Sequence, residues 1–162
     1  MSKFYDNHNH SQFSFDGGRT SVEKTAAAAI RKGLAGICFT DHCDFYVPPI
    51  KAEHERRVPE VFDVEARDSE INRVNALVRS GSLPGVNADE NPGHPDYKDF
   101  RIFKGIEIGV QHSERDKIAA HLTKYSFDEV IASVHYLDQT DPFWGGYYIG
   151  KGWKEAYGHY LE

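Results

Sequence analysis

Short apolar runs alternate with helical patterns along the chain, and this order restricts the fold more than any other feature of the sequence. Residues 34–40 form a nearly continuous apolar run, as expected of a parallel strand that is covered on both faces. Strands separated by helices favour right-handed β–α–β units with a parallel sheet. We therefore predict an α/β fold of parallel (β/α) units, with residues 1–162 in a single domain.

Four strands and four helices are predicted from apolar periodicity and capping residues. The strands are at residues 4–5, 34–40, 101–110 and 129–134, and the helices at residues 20–33, 63–81, 113–125 and 153–161. Thr20 and Glu23 form a capping box at the start of the first helix, which ends at Gly33. The segments at residues 44–59, 82–100 and 138–152 are predicted to be loops.

Histidines and carboxylates lie at or near the end of each predicted strand. They are His8, His10, Asp16, His42, Glu107 and His135. Because the carboxyl ends of parallel strands meet at one rim, side chains more than a hundred positions apart in sequence can share one site. We therefore expect these six residues to form a single cluster.

The residue types of this cluster indicate a metal site. Imidazole together with carboxylate suits zinc, iron or manganese better than calcium or magnesium, which prefer oxygen ligands alone. His8 and His10 are two residues apart, so on an extended chain both face the same way. Glu107 lies between two isoleucines, where a carboxylate needs a metal ion or a buried lysine or arginine to offset its desolvation. Each motif alone has an ordinary structural explanation, and only their conjunction predicts metal binding.

Composition and charge restrict the partners of the chain. The formal net charge of -6 argues against a nucleic-acid partner, whose phosphates attract basic surfaces. No apolar run approaches the roughly 20 residues that span a bilayer, and the polar start lacks the apolar segment of a signal peptide. We expect a cytoplasmic protein with no membrane partner. The two cysteines are too few for a disulfide framework, and Cys43 is interpreted as a surface or packing residue rather than a ligand or a redox-sensitive thiol.

Four motifs contain the candidate ligands. They are DNHNHS at residues 6–11 with FSFDG at 13–17, FTDH at 39–42, KGIEIG at 104–109 and FDEVIASVHY at 127–136. Together these motifs resemble the PHP family, the polymerase and histidinol phosphatase superfamily of metal-dependent phosphoesterases. The last motif and the helical segment at residues 17–33 are particularly similar to the histidinol-phosphatase branch.

This resemblance implies a distorted seven-unit (β/α) barrel that holds up to three divalent ions, zinc, manganese or iron. It distributes the ligands as His8, His10 and Glu107 for the first ion, Glu107 and His135 for the second, and Asp16 and His42 for the third. The remaining ligands of the family, a histidine and a later Asp-x-His, have no equivalent here, so the chain corresponds to the N-terminal half of the barrel. Two explanations stay open: a truncated form of a longer phosphatase, or a chain whose partner supplies the missing half. We predict a homo-oligomer, a dimer or larger.

The activity implied by the resemblance is hydrolysis of a phosphate monoester such as histidinol phosphate by a metal-activated water. Glu107, His42 and Asp41 are the residues expected to have catalytic roles: Glu107 fixes the metal spacing, and Asp41 orients His42 by accepting its hydrogen bond. One alternative is a truncated PHP fragment that binds metal without turnover. Another is a polymerase-associated PHP domain that acts as a nuclease or exonuclease.

Overall fold

The computed structural model describes residues 4–17, 20–48, 59–86, 97–137, 141–142 and 147–161. Within these residues the strands are β1 (Tyr5–Asn9), β2 (Gly36–Phe39), β3 (His42–Asp44), β4 (Glu60–Val61), β5 (Arg101–Gly109) and β6 (Glu129–Ser133). The helices are α1 (Val22–Arg31), α2 (Val64–Ser80), α3 (Arg115–Lys124) and α4 (Trp153–Leu161). Short 3-10 turns at Tyr97–Asp99 and His112–Glu114 precede β5 and α3.

The six strands form one sheet that is mainly parallel, which confirms the predicted α/β class. β5 is the central strand, with β6 parallel on one side and β2 and β3 parallel on the other. β2 pairs with the first half of β5 and β3 with the second half, while β1 adds to the far side of β2. Only β4 is antiparallel, against β3. The parallel strands therefore follow their order in the chain across the sheet, as in an open section of a barrel; closure of the barrel stays a prediction.

Helices α1 and α2 cover one face of the sheet, and their ends are fixed by local capping. Ser21 accepts a hydrogen bond from the backbone N–H of Lys24, so the N-cap is Ser21 rather than the predicted Thr20. Asp63 caps α2 in the same way, and Gly81 ends this helix at φ +72°, where a residue without Cβ is favoured. Both ends of α2 agree with the prediction.

Two apolar clusters hold the helices to the sheet. The first joins α1 and α2 to β2 and the start of β5 through Val22, Ala26, Ile30, Ile37, Phe39, Ile71, Val74, Val78 and Ile102. The second lies under the other half of β5 and contains Cys43, Phe62, Val64, Ile106 and Ile108, with Ile118 and Leu122 of α3 packed against it. Both halves of β5 are therefore packed against helices on this face of the sheet.

The structure differs from the predicted elements at two places. The first strand extends through Asn9, so His8 lies within it rather than in a loop after it. β3 and β4 were not predicted, because strands of two or three residues are too short to show an alternating pattern. Of the predicted loops, residues 49–58, 87–96, 138–140 and 143–146 lie outside the described residues. In the described part of the chain, no helix is both long and apolar enough to cross a membrane.

Candidate metal centre

Glu107 is the residue that connects the histidines of the site. It lies on β5, and its side chain is 6% exposed. Its Oε2 lies 2.9 Å from Nε2 of both His8 and His10, and its Oε1 lies 3.1 Å from Nε2 of His135. Three imidazoles from the two outer parts of the sheet therefore converge on one carboxylate of the central strand.

A bulge in β1 directs two of these imidazoles towards Glu107. The register of β1 on β2 shifts between Asp6 and Asn9, where β1 contains one residue more than its partner. In a regular strand His8 would share a face with Asp6. The extra residue changes this alternation locally, and His8 and His10 both contact Glu107.

Asp16 and His42 form a second part of the cluster, next to His10. Oδ2 of Asp16 lies 2.8 Å from Nδ1 of His10 and 3.4 Å from Nε2 of His42. Ser14 donates a hydrogen bond to Oδ1 of Asp16, which holds this carboxylate in place. His10 thus belongs to both parts, because one ring nitrogen faces Glu107 and the other faces Asp16.

The structure brings all six predicted ligands together, and their arrangement fits divalent cations. They form three overlapping groups, each with ligand atoms within 4.8 Å of one another: His8, His10 and Glu107; His10, Asp16 and His42; and His42, Glu107 and His135. Metal–ligand bonds of about 2.0–2.2 Å place the ligand atoms of a tetrahedral site about 3.3–3.6 Å apart. Nε2 of His8 and Nε2 of His10 are 3.2 Å apart, close to this spacing.

The ring of His42 gives a further indication that the cluster suits a cation. Its Nδ1 is buried and has no hydrogen-bond partner among the described residues. The nearest carboxylate oxygens, of Glu107 and Asp44, are 3.7 and 3.8 Å away. A buried polar atom without a partner is costly, and coordination to a cation would satisfy a nitrogen of this ring.

The electrostatics of the cluster favour positive charge at its centre. Burial of Glu107 opposes its ionisation, but the hydrogen-bonded imidazoles outweigh this and hold the pKa of the carboxyl well below its usual range. Burial likewise disfavours a charged His135, yet hydrogen bonds to Asp44 and Glu107 raise its pKa to about 9. For His42 desolvation dominates and lowers the pKa. Protons and metal ions compete for such ligands. A bound cation would therefore replace the protons of the imidazoles as the positive charge beside the carboxylates.

Asp44, at the end of β3, is a site residue that the sequence interpretation missed. Its Oδ1 lies 2.7 Å from Nδ1 of His135, and its side chain is 5% exposed. A carboxylate on Nδ1 fixes the ring so that Nε2 faces a metal. The signal was available, since Asp44 is two positions after His42 and therefore points to the same side of an extended chain.

Gly109 has no side chain, which leaves space for the hydrogen bond between Asp44 and His135. A Cβ at this position would overlap Oδ1 of Asp44 and would lie 2.9 Å from Nδ1 of His135. Glycine at the end of β5 therefore allows the carboxylate of one neighbouring strand to reach the imidazole that follows the other.

The expected role of Asp41 was wrong. Its carboxylate does not orient His42 but accepts hydrogen bonds from the backbone N–H and the hydroxyl of Ser11, and it lies 3.4 Å from Arg67. Adjacent residues of an extended chain point to opposite sides, which separates Asp41 from its neighbour His42.

Cys43 is a packing residue, as interpreted: it is buried in the second apolar cluster, and burial raises the pKa of its thiol to about 12.

A pocket of about 480 Å³ opens onto the cluster. Besides the six candidate ligands, it is lined by Phe15, Asp44, Ser133, Tyr136 and Asp141. The ring of Phe15 lies 4.8 Å from the ring of His42 and covers one side of the site. The pocket has space for a small molecule beside the ligands.

Parallel strands whose carboxyl ends gather imidazoles and carboxylates beside a pocket define an α/β protein with a candidate metal centre. The PHP domain family matches residues 6–162, and the chain belongs to this family. This match confirms the family membership that the resemblance of the four motifs indicated.

Two curated relatives are similar to this chain over almost its whole length. The histidinol-phosphatase of Lactococcus lactis subsp. lactis is 32% identical over 161 residues, which cover 98% of this chain and 49% of that protein. The probable histidinol-phosphatase of Clostridium acetobutylicum is 26% identical over 158 residues, with 98% and 49% covered.

A solved structure agrees with this assignment. The crystal structure of the histidinol phosphate phosphatase of Lactococcus lactis subsp. lactis, complexed with zinc, L-histidinol and phosphate, superposes with a TM-score of 0.74 at 28% identity. The match covers 98% of this chain and 51% of that chain. The chain thus spans about half the length of the relatives it matches.

Proposed function

We propose that the chain is part of a metal-dependent phosphoric monoester hydrolase with histidinol phosphate as its substrate. The observation that carries this proposal is the contact of one buried carboxylate, Glu107, with the three imidazoles of His8, His10 and His135 beside a pocket. The substrate is supported by the two histidinol-phosphatase relatives and by the phosphatase structure that contains L-histidinol and phosphate.

The residues that would hold the metal ions are the six candidate ligands, and zinc is the metal that the related crystal structure contains. A bound ion of this kind lowers the pKa of water and neutralises phosphoryl oxygens, which is the chemistry that phosphate-ester hydrolysis requires. The chain's own residues prepare the ligands for this role. Asp44 holds Nδ1 of His135, so Nε2 faces the site, and Glu107 spans two of the three groups with its two oxygens.

The walls of the pocket define how a substrate would lie. Phe15 packs over His42, which limits the access of bulk water to that ligand. Tyr136 is buried next to His135 and lines the same pocket, as does Ser133. The phosphate would face the cationic centre, and the organic part of the ester would contact these side chains.

The test is the substitution Glu107→Gln, which retains the shape of the side chain and removes its charge. We expect metal content by elemental analysis to fall, and the rate of histidinol phosphate hydrolysis to fall by more than about a hundredfold. The reason is that two of the three ligand groups lose the carboxylate that they share. Glu65→Gln, on the exposed side of α2, is the matched control and should change neither quantity. Unchanged metal content and rate in Glu107→Gln would exclude the proposal.

A second candidate function is metal binding without turnover. It is favoured by one observation, that the chain spans about half the length of its histidinol-phosphatase relatives. Rates on several phosphate monoesters with added zinc, manganese or iron separate the two candidates. Stoichiometric metal without hydrolysis of any ester would support the second.

A further inference from the structure

Arg67 of α2 is completely buried, yet it lies outside the pocket. Its Nη1 donates hydrogen bonds to the backbone carbonyls of Phe39, at 3.1 Å, and Gly105, at 2.7 Å. Its guanidinium lies over the ring of Phe62, 4.8 Å from the ring centroid. A single side chain of the helix thus binds the backbones of two neighbouring parallel strands, at the end of β2 and in the middle of β5.

The same nitrogen of Arg67 faces Asp41, and Asp41 extends the connection to a third strand. Oδ2 of Asp41 lies 3.4 Å from Nη1 of Arg67, and both side chains are 0% exposed. Asp41 also accepts hydrogen bonds from the N–H of Ser11, at 2.6 Å, and from its hydroxyl, at 3.0 Å. Ser11 follows β1, so the Arg67–Asp41 pair joins α2 to β1, β2 and β5.

The three segments that this pair joins are the ones that carry the candidate ligands. Ser11 is the residue after His10, Asp41 is the residue before His42, and Gly105 is two residues before Glu107. A shift of any of these backbones would change the spacing of ligand atoms that now lie within 4.8 Å of one another. Metal sites tolerate such shifts poorly, since their bond lengths vary by only a few tenths of an ångström.

We propose that Arg67 and Asp41 are positioning residues of the metal centre, which set the relative placement of His10, His42 and Glu107 without binding the metal. This inference rests on the proposed function, because it concerns the same metal site. A packing role alone would predict that the pair contributes to stability and leaves the ligand geometry unchanged. The two roles are therefore distinguished by metal affinity and ligand geometry in protein that is folded.

The experiment compares Arg67→Met, Asp41→Asn and the double variant with Ile71→Ala. Ile71 is on the same helix, is equally buried and belongs to the first apolar cluster, so its variant controls for lost stability. Zinc affinity is measured by competition with a chelator, and the absorption spectrum with cobalt(II) reports ligand geometry. All measurements are made at a temperature at which circular dichroism shows the metal-free variants to be folded.

We expect Arg67→Met and Asp41→Asn each to weaken zinc binding by about tenfold to a hundredfold and to change the cobalt spectrum. The double variant should lose less affinity than the two single losses combined, because the two residues share one contact. Ile71→Ala should lose thermal stability and bind zinc like the wild type. If Arg67→Met does not fold, Asp41→Asn, which retains the shape of the side chain, decides the question alone.

Zinc affinity and cobalt spectrum equal to wild type in the folded variants would overturn this inference and leave the proposed function intact. An affinity that falls in Ile71→Ala as much as in Arg67→Met would also overturn it, because stability alone would then explain the loss. A wild-type chain that binds no zinc would instead refute the proposed function, and this inference with it.

Discussion

Asp44 shows how a single side chain contributes to the site without belonging to any of the three ligand groups. It holds Nδ1 of His135 at 2.7 Å, and it can do so only because Gly109 has no side chain between the two strands. The carboxylate, the imidazole and the glycine lie on or directly after three neighbouring strands, β3, β6 and β5. Each of them therefore affects how His135 would bind a metal.

Gly109→Ala should weaken metal binding, because the new Cβ would displace Asp44 from His135. We expect a loss of zinc affinity of about tenfold or more, the usual effect of disturbing a hydrogen bond behind a ligand. Competition with a chelator measures it. The control is Gly152→Ala, where the added Cβ meets no atom within 4 Å. Equal affinities for the two variants would contradict the assigned role of Asp44.

The sequence identified the ligands better than the residues that support them. Histidines and carboxylates at strand ends were predictable, because parallel topology brings such ends together whatever loops intervene. The supporting residues depend on which side chains meet in the folded chain. Arg67 looks like any helical arginine in the sequence, and only its burial beside Asp41 distinguishes it.

At the scale of elements, local signals decided which predictions were confirmed. Helix α2 begins after Asp63 and ends before Gly81, as its capping residues indicated. The bounds of α4 also agree with the prediction. By contrast, the three-residue strand β3 has no local signal, since its formation depends on pairing with β5. The bulge of β1 escaped prediction for the same reason.

Asp63→Ala should destabilise the fold without affecting the site directly. Asp63 accepts a hydrogen bond from the N–H of Ala66, and loss of such a cap costs about 1 kcal/mol of unfolding free energy. Urea denaturation of the metal-free protein measures the change. Zinc affinity at a temperature well below unfolding should equal that of the wild type. Asp63→Asn, which retains the capping oxygen, should lose much less stability.

At the scale of the whole molecule, one edge of the sheet has no partner strand within the described part of the chain. Among the described residues β6 pairs only with β5, and Val130 on β6 is 47% exposed. Apolar side chains of α4, Trp153, Tyr157 and Leu161, are also exposed. Free strand edges and apolar surfaces favour association.

We expect the chain to form a dimer or a larger homo-oligomer through the edge strand β6. Light scattering should give at least twice the mass of one chain. Val130→Lys should shift the protein towards the monomer, because a lysine on an edge strand opposes pairing with another strand. Ala120→Lys adds the same charge to the exposed surface of α3 and should have no effect. A wild-type chain that is monomeric over a wide concentration range would refute this prediction.

Removal of metal should lower the stability of the protein. A ligand that binds only the folded state, at a free concentration of about 100 times its dissociation constant, contributes about 2.7 kcal/mol. For a chain of this size we expect chelation to lower the melting temperature by about 5–10 °C, and zinc to restore it. Differential scanning calorimetry measures both. Glu107→Gln should show a smaller shift, and equal shifts in the two proteins would place the metal elsewhere.

The bulged strand β1 lies at one edge of the parallel strands, and His135 follows β6 at the other. Two cations, one held by His8, His10 and Glu107 and the other by His42, Glu107 and His135, would connect these two edges through Glu107 and close a loop of more than a hundred residues. Proteases cleave transiently opened chains. Bound metal would make such opening rarer and would therefore slow degradation of the protein. We therefore expect the lifetime of the protein in a cell to follow the supply of metal.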